Sequence, residues 1–113
     1  MTTLQIESTE YLYVGLSGDV PSDGVEIAFM ASGARPTSGD WTTATVVTSD
    51  SDPLWSDAVS SGASGDYYAA RLVGSYGGND VTLDAGDYQV WIRATDTTEQ
   101  PVRIAPQSLE VEG

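Results

Sequence analysis

Apolar and polar side chains alternate along most of this chain with the repeat of a β-strand. Leu4 and Ile6 alternate with polar neighbours, and Tyr11, Tyr13 and Gly15 interleave with Leu12, Val14 and Leu16. The same alternation carries Val25, Ile27 and Phe29, then Tyr68, Ala70 and Leu72, then Tyr88, Val90 and Ile92, and finally Leu109 and Val111. Successive strand side chains point to opposite faces, so each run predicts a strand with one apolar face turned to a core. Shorter strands are predicted at residues 44–48 and 81–83. Clusters such as SGDVPSDG, ASGARPTSGD, SYGGND and DTTEQP separate the runs and supply the Gly, Pro, Asn and Asp that turns require.

No segment keeps a helical apolar stripe over three turns, so no long helix is expected. The long connection 49–65 is the exception in kind: PLWSDAVS predicts a short helical turn around residues 54–59, with Trp55 as a plug that pins the loop to the core. About seven or eight short strands with turn signals between them imply a sandwich or barrel. Leu83-Asp-Ala-Gly86-Asp-Tyr88 narrows the choice. It matches the tyrosine corner of Greek-key sandwiches, in which a Gly-containing turn leads into a strand and the Tyr hydroxyl bonds back to the backbone beside the preceding Leu. The expected fold is therefore all-β, an antiparallel immunoglobulin-like β-sandwich, with Leu83, Gly86 and Tyr88 forming its corner. Its core is expected to comprise Tyr13 or Val14, Ile27, Phe29, Val46, Leu72, Leu83, Tyr88, Val90, Ile92 and Leu109.

The length of 113 residues fits one domain, residues 1–113, and one modest core. Charge changes the picture more. Seventeen acidic residues oppose four basic ones, for a net charge of −13, and the basic residues are all Arg: Arg35, Arg71, Arg93 and Arg103. Nucleic acid and anionic membranes are poor partners for such a surface, because both need clustered Lys and Arg. An Asp-rich, Lys-free surface is expected either of a host with a GC-rich genome or of one living in high salt, where carboxylates keep the surface hydrated and screening removes their repulsion. The N-terminus shows neither the basic nor the apolar part of a signal peptide, so export by that route is not expected.

Missing residue types exclude most chemistry. Without His or Cys there is no Ser-His-Asp or Cys-His catalysis and no zinc site of imidazole or thiolate; without Lys there is no Schiff base. No catalytic, cofactor or metal residues are expected, and a paired-carboxylate glycosidase stays only formally open. Asp50, Asp52 and Asp57, and likewise Asp80, Asp84 and Asp87, are close enough in sequence for calcium but lack EF-hand spacing; solvated turn carboxylates are the plainer reading. Trp41 and Trp91 read as core or interface residues before they read as sugar platforms. Arg93 and Arg103 flank the turn 95–101, either as interface anchors or as local ion pairs to Glu99 or Asp96.

Four stretches carry a likeness to a known family: Arg35-Pro36…Asp40-Trp41, Tyr67-Tyr68-Ala-Ala-Arg71-Leu-Val-Gly74, Leu83-x-x-Gly86-x-Tyr88-x-Val90-Trp91-Ile-Arg93 and Glu99-x-Pro101-Val-Arg103. They resemble small immunoglobulin-like structural proteins of tailed viruses, best represented in phages of actinobacteria, over roughly residues 20–112. The acidic, Lys-free surface departs from those members and points toward a virus of a halophilic archaeon. The resemblance implies a domain that binds a particle lattice. We therefore expect a non-enzymatic capsid decoration protein on the virion surface, made in the host cytoplasm, whose partners are the major capsid protein or other virion structural proteins, with self-association on the particle. A neck, tail or baseplate component and a glycan-binding adhesion module are the alternatives. Trp41, Tyr76 and Arg103 are the expected contact residues.

Overall fold

A computed structural model describes residues 2–79 and 81–113. Among these, the chain forms strands β1 (Thr2–Gln5), β2 (Glu10–Leu16), β3 (Val25–Ala31), β4 (Thr42–Thr43) and β5 (Thr45–Val47), helix α1 (Pro53–Ser60), then strands β6 (Tyr67–Val73), β7 (Gly86–Ala94) and β8 (Val102–Glu112). Five strands make one sheet in the order β1-β8-β7-β3-β4, and three make another in the order β2-β6-β5. The protein is thus mostly β.

One pairing departs from the antiparallel expectation. β1 runs parallel to β8, with Thr2 opposite Leu109 and Gln5 opposite Glu112. Short turns force antiparallel pairing only between the strands they join. β1 is followed by a strand of the other sheet, so no hairpin dictates its direction.

A single apolar core joins the two sheets. Leu12, Val14, Tyr67, Ala69 and Val73 from the smaller sheet meet Leu4, Val25, Ile27, Val90, Ile92, Leu109 and Val111 from the larger. Of the expected core, Val14, Ile27, Val90, Ile92 and Leu109 are buried, while Phe29, Val46, Leu83 and Tyr88 pack half-buried against it. Leu72 does not join them. It sits opposite Tyr11, on the outward face of the sheet, and its neighbour Val73 points inward instead.

Tyr13 reveals why β2 and β6 carry apolar residues on both faces. With Val47, Tyr68 and Ala70 it forms a second cluster on the outside of the three-stranded sheet, beneath α1. Eight residues are too few for a stable isolated helix. Here Asp52 caps the N-terminus by accepting from the Leu54 N–H at 2.9 Å, and Pro53 takes the first position, where its missing N–H costs nothing. Trp55 packs edge-on against Tyr68 at 4.7 Å, and the Tyr13 hydroxyl donates to Asp57 Oδ2 at 2.5 Å. Burial first, and then Asp57, hold the Tyr13 hydroxyl protonated far above the usual range for a phenol.

Of the two short strands expected, the one at 44–48 forms as Thr45–Val47, which pairs with β6, while Thr42–Thr43 just before it pairs with β3 in the other sheet. Buried Ala44 is the crossing point and donates its N–H to Val25 O at 2.9 Å. Residues 81–83 form no strand. The Asn79 side-chain amide instead bonds the carbonyls of Leu72, Gly74 and Val81 at 2.8–3.1 Å, and Gly74 N–H makes a lone backbone bond to Val81 O at 2.8 Å. Ile6 also leaves the core pattern; it lies past the end of β1 and is 42% exposed.

The corner is formed by a hydrogen bond from the Tyr88 hydroxyl to Asp84 O at 2.7 Å. Gly86 starts β7 at φ +151°, a backbone region that side chains rarely enter. Replacing Tyr88 with Phe leaves the Asp84 carbonyl without its donor. The expected loss is about 1 kcal/mol, read from the urea midpoint. An unchanged midpoint would mean that water serves that carbonyl equally well.

Candidate interaction surfaces

β3 and β7 pair in register, and this places Glu26 directly opposite Arg93 on the outward face of the larger sheet. Arg93 donates from Nε and Nη2 to the same Glu26 oxygen, at 3.0 and 2.7 Å. The guanidinium lies 4.7 Å above the ring of half-buried Trp41, while Arg35 reaches from the β3–β4 loop to lie 5.2 Å over Trp91. Arginine over an indole face is attractive. Half the basic residues of an acidic protein thus brace one sheet face. Arg93 reaches across to Glu26, not along the turn to Glu99 or Asp96.

Trp91 is 5% exposed, and its indole N–H is sealed from solvent without a hydrogen-bond partner among the described residues. Such a donor costs roughly 1–3 kcal/mol. Directly opposite it on β8 stands Ile104, and opposite Arg93 stands Val102; these are 50% and 40% exposed. The part of β8 that carries them extends beyond β1, which pairs only with residues 109–112. Between Gln89 and Trp91 the register with β8 shifts, as at a β-bulge.

The three expected contact residues do not converge. Tyr76, 83% exposed, lies in the β6–β7 connection, where its N–H bonds Thr9 Oγ1 just before β2. Arg103 lies at the opposite end of the strands. It pairs with inward-facing Ile92, so its side chain leaves on the core side of the sheet and lines a cleft, while Trp41 covers the outward side. No single flat partner covers all three. Register parity decides this separation, and local sequence contains no trace of it.

Two of the carboxylates considered for calcium have other roles: Asp52 caps α1, and Asp57 receives the Tyr13 hydroxyl; Asp84 offers Tyr88 its backbone carbonyl, not its carboxylate. Asp80 lies outside the described residues. Among the described residues, no three His, Cys, Asp or Glu side chains are placed to hold a metal, and no helix is long and apolar enough to cross a membrane. No protein-family model matches the chain, and neither a curated protein nor a solved structure is significantly similar to it.

Proposed function

We propose that this chain is a non-enzymatic structural domain of a tailed-virus particle, an immunoglobulin-like sandwich that decorates the outside of the capsid. The resemblance over residues 20–112 motivates the reading, and the lack of His, Cys and Lys leaves little for catalysis to use. Two sheets around one core and the Tyr88–Asp84 corner support the immunoglobulin-like assignment.

The observation that carries the reading is the outward face of the larger sheet. Val102 and Ile104 lie exposed beside the unsatisfied Trp91 donor on a surface stiffened by the Arg93–Glu26 pair. A partner backbone carbonyl that displaced Arg35 would recover the Trp91 hydrogen bond, and partner apolar groups would cover Val102 and Ile104. Such a rigid, partly apolar patch with an arginine at its rim suits a lattice contact. A glycan reading lacks its platform on this face, because Trp41 and Trp91 both lie under arginines.

Mass spectrometry of purified particles is the test. Hundreds of copies per particle are expected of a decoration protein, whereas tens or fewer would move the assignment to the neck, tail or baseplate. Absence from mature particles, with abundance only in lysate, would overturn the reading.

A further inference from the structure

At the end of the molecule where β7 turns into β8, a cleft of about 380 Å³ opens between the two sheets. Leu16 and Tyr67 line it from the smaller sheet, Ile92 and Ala94 from the larger, and Pro21 from the β2–β3 loop. Exposed Asp19, Asp96 and Glu99 stand around the mouth, with Arg103 as the one cation. At about 30 Å³ of liquid volume per water, the space exceeds what a few waters fill and has room for one long side chain.

Tyr67 makes this more than an acidic hollow. The residue is 4% exposed and lines the cleft, and its hydroxyl makes no hydrogen bond to any described residue, although it is not among the polar atoms sealed from solvent. Buried phenol hydroxyls ordinarily find partners. Here the partner must come from the cleft. Burial raises the Tyr67 pKa, so the group stays a neutral phenol able both to donate and to accept.

The mouth is held in place before anything binds. Ser22 Oγ donates to Asp96 Oδ1 at 2.7 Å, and Asp23 N–H and Thr95 N–H bond the carbonyls of Thr95 and Gly24 at 2.9 and 3.0 Å. These bonds lock the β2–β3 loop to the turn that follows β7. The bond from Ser22, with a further one from Thr97 N–H, keeps Asp96 ionised below the usual carboxylate range. A preformed rim lowers the ordering cost of binding.

We propose that this cleft receives a lysine or arginine side chain presented by a partner protein. The aliphatic stem lies along Pro21, Tyr67 and Ile92, and the charged head donates to the Tyr67 hydroxyl and to the rim carboxylates. Long basic side chains bury their stems on apolar surface while their heads stay polar, which matches an apolar floor under an acidic mouth. Three carboxylates outnumber one guanidinium there, and the net charge of −13 draws cations toward the molecule from a distance. The site lies on the core side of the larger sheet, apart from the Trp91 patch, and does not depend on the particle assignment.

The test is an amide-resolved NMR titration of the intact chain with N-acetyl-lysine N-methylamide, alongside its norleucine and glutamate counterparts. Shifts are expected in residues 16–21, at Tyr67 and in residues 92–103, with lysine binding at least about tenfold tighter than norleucine. Tyr67→Phe and the pair Asp19→Asn with Glu99→Gln should each weaken lysine binding several-fold. Arg103→Gln should tighten it by removing a like charge. Because the Tyr67 hydroxyl has no partner in the domain, Tyr67→Phe should leave the unfolding midpoint unchanged or higher, which separates binding from folding. Equal binding of norleucine, tighter binding of glutamate that Arg103→Gln abolishes, or shifts confined to other surfaces would each overturn the proposal.

Discussion

Truncation of Leu109 to alanine is expected to remove about 3–5 kcal/mol of stability, the largest loss of any single change considered for this protein. The side chain is 1% exposed and sits where β8 is flanked on both sides, opposite Thr2 of β1 and Tyr88 of β7. Leu4, Leu12 and Val73 surround the neighbouring gap between the sheets, so atoms from both sheets would face the void. Strands fixed by ladders on both sides cannot collapse into such a hole, which places the cost toward the upper end of the range. A domain of this size holds only about 5–15 kcal/mol in total. Urea unfolding should therefore show a large fall in midpoint with an unchanged slope. Val102→Ala on the same strand, at an exposed position, is the control and should cost well under 1 kcal/mol. Similar losses for the two variants would mean that the core between the sheets is not closed around Leu109.

Raising NaCl from about 0.02 M to about 1 M is expected to lift the thermal midpoint by on the order of 10 °C or more, as charge repulsion is screened. A net charge of −13 is confined within a radius of gyration of 13.5 Å, whereas an unfolded chain of this length spreads it over about 30 Å. Repulsion therefore opposes folding, and salt relieves it. The fold concentrates part of that repulsion at one place. Asp87 stands directly opposite Glu110 on paired strands, and Glu112 follows two residues on. The cost of solvent loss, together with Glu112 and Asp87, pushes the Glu110 carboxyl above its usual range.

A carboxyl whose folded pKa is raised contributes stability below its unfolded pKa and loses it as pH rises through the folded value. Asp40 and Asp96 act oppositely. Hydrogen bonds, from Thr37 and from Ser22 respectively, depress them, so their contribution disappears as pH falls through the depressed values. Stability should thus rise as pH drops from neutral into mild acid and fall again in stronger acid. Glu110→Gln should raise the midpoint at low salt and lose that advantage as salt increases. Most of the salt gain should appear early and then level off if screening is the cause. A rise that continues through molar NaCl, and more so in sulfate than in chloride, would point to adaptation to high salt. A flat response would remove the halophilic reading altogether.

Much of the architecture was legible in the chain itself. Alternation of period two located β2, β3, β6, β7 and the end of β8, because a half-buried strand must present one face to a core. The turn before Tyr88 announced its corner, because a phenol at that spacing can reach the backbone four residues back. The segment PLWSDAVS announced a short helix around residues 54–59, with Trp55 to pin it to the core, while the Asp52 cap became visible only in the structure. Charge and the missing residue types excluded whole classes of chemistry without any fold.

Other features came from long-range pairing and from nothing nearer. The parallel union of β1 with β8, the change of sheet at Ala44 and the failure of residues 81–83 to form a strand all depend on which distant backbone offers hydrogen bonds. Alternation reports that a face is apolar, but not which face meets the core. Tyr13 and Tyr68 therefore read as core residues, although what covers them is a helix on the outside of the sheet. Register parity sent Trp41 and Arg103 to opposite sides of one sheet and aligned Arg93 with Glu26, 67 positions away. The same closure brought the turns SGDVPSD and TDTTEQP together beside Tyr67 and made a cleft from three segments that share no local signal. Side-chain direction on a strand is set by one-residue steps of pairing, and that step is decided by the whole sheet.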